Sequence, residues 1–516
     1  MTDQRNMIMA IVLSAVVLLG WSFLSDRFLP KAPPKPLVAT QPANPTAIAA
    51  DGTVVPGVGG TGQLRDQAVV LRESPRVRVD TPKLTGSINL RGAQIDDLVL
   101  RTYAETIKPG SPPVRLLAPS GTGNAYFGQF GWTGTGAPGP DSMWTASAAT
   151  LTPAAPVTLS WTNPAGTVFE IVLAVDPDYM FTVTQRVRNP GSAPVTVRPW
   201  GLVSHAGTGL EKDASNLHVG PIGVVGERLK DSEVAYKKLR DDGEQTFTTT
   251  GGWLGFTDKY WLTALIPDQK TSVVAHFVPA PADRYQTDYL AVPITVAPGA
   301  TVATTAHLFA GAKEVNLIDR YKASLGIPLF DRAVTWGWFW FIAQPIFHLL
   351  DWLFKLFGNF GLAIIGLTAI IRAIMFPIAS KQFQSMAKMR LVQPKMKELQ
   401  ERYKDDKPRL QQETMALYKK EKVNPVAGCL PVVLQIPIFY ALYKTLLVST
   451  EMRHQPFALW IKDLSVADPL TPVNLFGLIP FQPPAMIAIG VLPIFLGITM
   501  YLQQRLNPTP MDPTQK

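Results

Sequence analysis

The chain of 516 residues has a single cysteine, Cys429, so no disulfide can form within it. A CxxC metal cluster is excluded on the same ground, and none of the six histidines falls at HExxH spacing. No G-x-x-x-x-G-K-[ST] loop is present to cradle a nucleotide's phosphates. Gly57, Gly59 and Gly62 mimic a dinucleotide fingerprint, but no strand precedes them and no helix opens after them. Neither a metal nor another cofactor is therefore expected. Charge is scarce too, at 17% of residues.

Long apolar runs take its place. Residues 7–24, 359–379, 429–449 and 485–502 each approach the ~20 apolar residues that cross a hydrocarbon core. The first, MIMAIVLSAVVLLGWSFL, is followed by SDRFLPK with no small-x-small cleavage site, and so reads as an uncleaved anchor. The net charge of +9 is also localised. Residues 379–427 hold 12 Lys and Arg against 6 Asp and Glu, whereas residues 25–335 hold 28 against 27. Basic loops stay on the cytoplasmic side. The loop 380–428 is therefore assigned to the cytoplasm, with residues 1–6 and 503–516, and residues 25–358 and 450–484 to the periplasm. An excess confined to one loop between spans also argues against sequence-specific nucleic-acid reading.

Between the first two spans the text changes twice. Residues 25–64 are rich in Pro, Ala, Thr and Gly, a mobile tether. Residues 65–333 carry alternating and β-branched runs separated by turn residues, as in FEIVLAVDPDYMFTVTQRVRNPG. This predicts an antiparallel all-β sandwich of two sheets. Residues 334–358 (VTWGWFWFIAQPIFHLLDWLFKLFG in 334–358) crowd Trp and Phe with Asp351 and Lys355, as an interfacial amphipathic helix does, and His348 is placed there as an interfacial side chain. In the basic loop, Met389, Val392, Met396, Leu399 and Tyr403 recur at helical spacing. The turn Asp405–Pro408 would end that helix, and a second from Arg409 to Lys422 would fold back as a hairpin. Pro394 predicts a kink or restart in the first.

Four strings, WFWFIAQPIFHLLDWLFKLFGNFGLAII, LTAIIRAIMFPIASKQFQSMAKMRLVQPKM, ALYKKEKVNPVAGCLPVVLQIPIFYALY and FALWIKDLSVADPL, resemble the core of the YidC family. TPKLTGSINLRGAQIDDLVL and GWLGFTDKYWLTALIPDQ resemble its outer domain more weakly. The resemblance implies a helical transmembrane bundle with a large periplasmic β-sandwich of the galactose-mutarotase-like supersandwich kind. It implies a membrane protein insertase of the bacterial inner membrane, not an enzyme, acting on nascent integral membrane proteins alone or with the Sec translocon. Relatives with this outer domain carry six spans, so a truncation at MDPTQK, where the fifth would begin, is expected.

Arg372 is the candidate site. An arginine at mid-span costs at least ~2.5–3.5 kcal/mol, unless it snorkels to the headgroups. Thr368 lies one turn earlier on the same face, with Gly361 and Ile365 extending it. Gln435 shares a helical side with Gly428, Pro431 and Phe439, while Gly490, Pro493 and Gly497 are assigned to packing. The resemblance implies that Arg372, Thr368, Gln435 and Phe439 contribute to a hydrophilic groove, and that the hairpin docks a ribosome, a signal-recognition receptor or the translocon. The docking candidates are Lys395, Lys397, Arg402, Lys404, Lys407, Arg409, Lys419 and Lys420. A membrane-tethered carbohydrate protein is the alternative, with His205, His218, His276, His307 and Glu170 available for acid–base work.

Overall fold

The computed structural model describes residues 64–208, 217–226, 233–404, 406–421, 430–479 and 488–506. The anchor expected at 7–24, the tether up to residue 63, Cys429 and the first residues of the run at 485–502 lie outside the described residues.

From Arg76 to Ala312 the chain builds two packed sheets, of eleven and eight strands. Alternation dictates the burial: Val168–Val175 turns Phe169, Ile171, Leu173 and Val175 inward. Met180–Arg188 pairs with it on one edge and with Thr301–Ala312 on the other, at the middle of the eight-stranded sheet. In the larger sheet Val195–Ala206 lies between Tyr126–Thr133 and Arg284–Ala291. The inner faces share a core that includes Phe169, Phe181, Phe277 and Leu308, while Phe309 turns outward onto Tyr321 and Phe330. The sandwich predicted from the alternation is thus the fold. One pairing departs from it: Arg76–Asp80 runs parallel to Thr150–Leu151, while the other described pairs are antiparallel.

The helices follow as α1 (Val315–Leu325), α2 (Trp340–Phe357), α3 (Phe360–Arg402), α4 (Lys407–Lys420), α5 (Leu430–Val448) and α6 (Val491–Leu506). Two compact units divide the chain, the first holding residues 43–373 and 434–466, the second residues 374–433 and 467–516 with the N-terminus.

In the first unit, α1 closes the sandwich with Leu317, Ile318 and Tyr321. A second apolar core joins α2, the start of α3 and α5 through Ala343, Phe347, Leu350, Phe360, Ala363, Leu367, Ala441 and Val448. The spacings of three, four and seven are those of single helix faces. The opposite side of α2 is apolar but open, with Phe341, Trp352 and Leu356 exposed. His348 sits beside α1, its Nε2 3.7 Å from Asp319 Oδ2.

Polar bonds tie this helical layer to the sandwich. Thr450 Oγ1 donates to Lys313 O, just past the end of the last strand, at 3.3 Å. Glu451 Oε1 accepts from Val315 N at 2.8 Å. Arg453 is buried, donating to Ala104 O at 2.7 Å with its guanidinium near the Tyr260 and Trp261 rings. Gly361 lets the chain after α5 approach α3, because a Cβ there would lie 2.0 Å from the Phe457 ring.

In the second unit α3 continues without a break through Pro377 and Pro394, so the restart predicted at Pro394 does not occur. The 43-residue helix is about twice the length needed to cross a bilayer. Asp406 caps α4 by accepting from Arg409 N at 3.1 Å, and Pro408 falls in the first turn, where its missing N–H costs nothing. That cap starts α4 two residues before the predicted Arg409.

Two outcomes follow from the seam. Burial pushes the Glu451 carboxyl up to about 7, so between its ordinary range and 7 the folded chain holds a proton the unfolded chain releases. Stability therefore falls as pH rises through that window. Thermal unfolding of the purified protein should lose up to ~2 kcal/mol from pH ~5 to ~8, and Glu451→Gln should remove that part of the slope. Gly361→Ala, which raises helix propensity by ~1 kcal/mol in an open helix, should instead lower the melting temperature because the methyl displaces Phe457.

Candidate functional site

The second core decides which side of α3 is open. Phe360, Ala363 and Leu367 point inward, so residues about a third of a turn away point out. Thr368 and Arg372 are both exposed, as is Ile365. Arg372 is therefore not buried in protein, since among the described residues no neighbouring helix of the first unit covers that face. Thr368 Oγ1 donates to Ile364 O at 2.8 Å, which satisfies the hydroxyl within its own helix. Among the described residues no acceptor lies within bonding reach of the Arg372 guanidinium. Gly361 does not extend this open face; it is buried against Phe457.

On α5 the buried side is Ala441, Lys444, Thr445 and Val448. Gln435 is half-buried and Phe439 exposed, on the side turned away from that core. Gly428 lies outside the described residues. Both helices thus carry their polar candidates on faces the apolar core leaves free, and no described hydrogen bond joins Arg372 to Gln435. Phe360–Lys381 is long and apolar enough to cross a membrane, while Leu434–Val448 and Val491–Gln503 are apolar but shorter.

Across the basic hairpin Thr414 Oγ1 donates to Met396 Sδ at 3.6 Å, and Lys395 Nζ meets Glu421 Oε1 at 2.6 Å. Lys395 is therefore partly neutralised. Lys397, Arg402, Lys404, Arg409, Lys419 and Lys420 remain exposed, with Arg409 over the Tyr403 ring at 5.6 Å. The side chain of Lys407 lies outside the described residues. Of the predicted seam, Val392 is buried and Met396, Leu399 and Tyr403 are half-buried. Leu399 and Leu417 line a cleft of about 290 Å³ between α3 and α4, rimmed by Lys395, Arg402, Glu413 and Lys420.

Three charged residues at the seam with the sandwich escaped the sequence reading. Lys444 interrupts an apolar helix, a visible signal, and packs beside Gly337. Glu451 and Arg453 border a cleft of about 510 Å³ with Lys83, Tyr103 and Glu314. Burial would lower Lys83's hold on its proton, but Glu314 at 2.7 Å and Asp178 at 2.9 Å outweigh it and hold it raised. Nothing in the local text marks Glu451 and Arg453, because the backbone partners that fix them, Val315 and Ala104, are distant in the chain.

The histidines of the alternative reading do not converge. His205 and His276 are on the larger sheet, His307 on the smaller, and His218 precedes it. Burial lowers His205 to about 4 and also lowers His218 and His307, so these three rings are neutral. Burial opposes the charge on His276 too, but Asp288 Oδ1 at 2.8 Å from its Nδ1 reverses the shift. Glu170 pairs with Arg186 at 3.1 Å on the smaller sheet. The space beside His205 is about 10 Å³, room for one water rather than a sugar.

Known proteins bear on these geometries. A profile described as YidC periplasmic domain matches residues 76–349, and one described as 60Kd inner membrane protein matches residues 352–516. The membrane protein insertase YidC of Zymomonas mobilis is 47% identical, with 100% of this chain and 88% of that one covered. That of Rhizobium meliloti is 45% identical, covering 100% and 89%, and that of Granulibacter bethesdensis 47%, covering 99% and 90%. Among solved structures, a galactose mutarotase related enzyme from Lactobacillus acidophilus is 10% identical, covering 46% of this chain and 97% of that one, at a TM-score of 0.33. Identity of this order over the whole length, with both profiles in the same chain order as the sandwich and the helices, places the chain in the YidC family of membrane protein insertases.

Proposed function

We propose that this chain inserts other proteins into the bacterial inner membrane, with α3 and α5 bordering a polar path and the α3–α4 hairpin receiving cytoplasmic partners. Family membership supports the insertase reading, and the observation that carries the path is Arg372: an exposed guanidinium with no described partner in the otherwise uncharged stretch of residues 360–380. A cation held so in lipid is costly unless water or an acidic group reaches it. A path that admits water from the cytoplasm shortens the hydrocarbon a substrate's polar tail must cross. Arg372 draws acidic groups of that tail inward, and the substrate's apolar segment then partitions into lipid, which supplies the driving force without nucleotide hydrolysis.

In this reading the N-terminus and hairpin are cytoplasmic and the sandwich periplasmic. The substrates are nascent integral membrane proteins, and the Sec translocon and a ribosome or signal-recognition receptor are the partners. The sandwich acts as a scaffold and not as an enzyme, in keeping with its dispersed histidines. Sugar turnover by the protein would overturn that part.

Arg372→Lys should retain most insertion, since the point charge survives the loss of the planar fork. Arg372→Ala should lose about tenfold in insertion of single-span substrates whose short tails carry Asp or Glu, and less for neutralised tails. Paired substrates at matched expression in a complementation assay measure this, and equal insertion of both by the Ala variant and its parent would sink the charge mechanism. Deleting Lys395–Lys420 should impair insertion while the chain stays membrane-bound. Unchanged substrate insertion would remove the docking role.

A further inference from the structure

From Pro469 to Gln504 the chain has 36 consecutive residues without a charge. The described helix α6 takes up only the last part of that stretch. The part before it, Pro469–Ile479, is neither helix nor strand in the ordinary sense, yet its own polar side chains bond it at several points.

Asp468 closes the loop at its base, where its carboxylate accepts from Leu470 N and Val491 N, each at 3.0 Å. Val491 N also reaches Leu470 O at 3.1 Å, so the loop returns to the first residue of α6. Gly490 permits this, since a Cβ there would lie 2.7 Å from the Asp468 side chain. Inside the loop, Asn474 Oδ1 accepts from Thr471 N and Gly477 N at 3.0 Å, and its Nδ2 donates to Pro469 O at 2.8 Å. Thr471 Oγ1 accepts from Asn474 N at 3.2 Å, and Phe476 N donates to Thr471 O at 2.8 Å.

The polar side chains are consequently inside, with Thr471 1% and Asn474 5% exposed. The apolar ones are outside. Val473, Leu475, Phe476 and Ile479 are exposed, and Leu478 is 84% exposed. Leu475 and Phe476 hold φ of 49° and 55°, a left-handed conformation that side chains with a Cβ disfavour, and which the Asn474 bonds enforce. This is the reverse of a loop built for water, where apolar groups turn in and polar groups turn out.

We propose that Val473–Ile479 is a lipid-facing wedge, seated among phospholipid acyl chains of the outer leaflet beside the start of α6. The proposal rests on the reading above that α5 and α6 cross the membrane and that the segment between them is periplasmic. Two observations favour lipid over a protein partner. The outward face has no charge and no unsatisfied side-chain polar group to direct a docking partner, whereas protein interfaces carry a polar rim. The base of the loop is bonded to the first turn of an apolar helix, which holds the wedge at the boundary where acyl chains begin.

The test uses the whole chain in phospholipid vesicles. With Cys429→Ala, Leu478→Cys supplies the sole thiol for an environment-sensitive fluorophore. Leu496→Cys on α6 reports on the membrane span, and Asp283→Cys in the sandwich on water. The label at 478 should be quenched by nitroxides on the acyl chains and should lose quenching by aqueous iodide, as at 496 and unlike at 283. Iodide quenching at 478 with protection at 496 would overturn the wedge while leaving the span intact. Shielding at 478 from both quenchers would mean a protein contact and would overturn it too. Iodide quenching at 496 would bring down the membrane reading of α6, and the wedge with it.

Discussion

The packing of Ala363 and Leu367 of α3 into one core with Phe347 of α2 and Ala441 of α5 governs the helical layer. Small residues at Ala343, Ala363 and Ala441 let these helices close together, and once one side of each is committed the other side is free by geometry alone. The Thr368 and Arg372 face is open for that reason, not because any group holds it open. In hydrocarbon a charge on such a face is costly unless its surroundings supply water or an acid.

The sandwich and the helical layer are held by a different chemistry. Their joint uses Thr450, Glu451 and Arg453, which bond to the backbone of Lys313, Val315 and Ala104. Backbone partners fix position more tightly than flexible side chains do, and the buried Glu451 carboxyl makes the joint sensitive to protons. The sandwich needs no disulfide, since Phe169, Phe181, Phe277 and Leu308 fill the space between its sheets. Its size supplies what a small oxidised domain would take from cysteine.

In the second unit polar groups are satisfied locally. Asp406 caps α4, Lys395 meets Glu421 across the hairpin, and Asp468 caps α6. Elements completed in this way leave their remaining surface uncommitted. That surface is basic on the hairpin and apolar on Pro469–Ile479.

The sequence by itself determined the all-β sandwich, because alternation of period two survives in strands such as Val168–Val175 whatever they pair with. It determined the hairpin, through the 3–4 spacing and the turn at Asp405–Pro408, and the family, through long strings that periodicity cannot mimic. Tertiary structure alone decided that Gly361 belongs to packing and not to the open face, since Phe457 is nearly a hundred residues away in the chain. It decided that α3 passes Pro394 unbroken, a lost hydrogen bond that a long helix can absorb. It also decided the short parallel pairing, the seam at Glu451 and Arg453, and the outward turn of Leu475–Ile479. For the glycine, the parallel pairing and the seam the deciding contact is a distant partner, and for the loop it is the Asn474 side chain bonding the backbone on either side of it; local periodicity encodes neither.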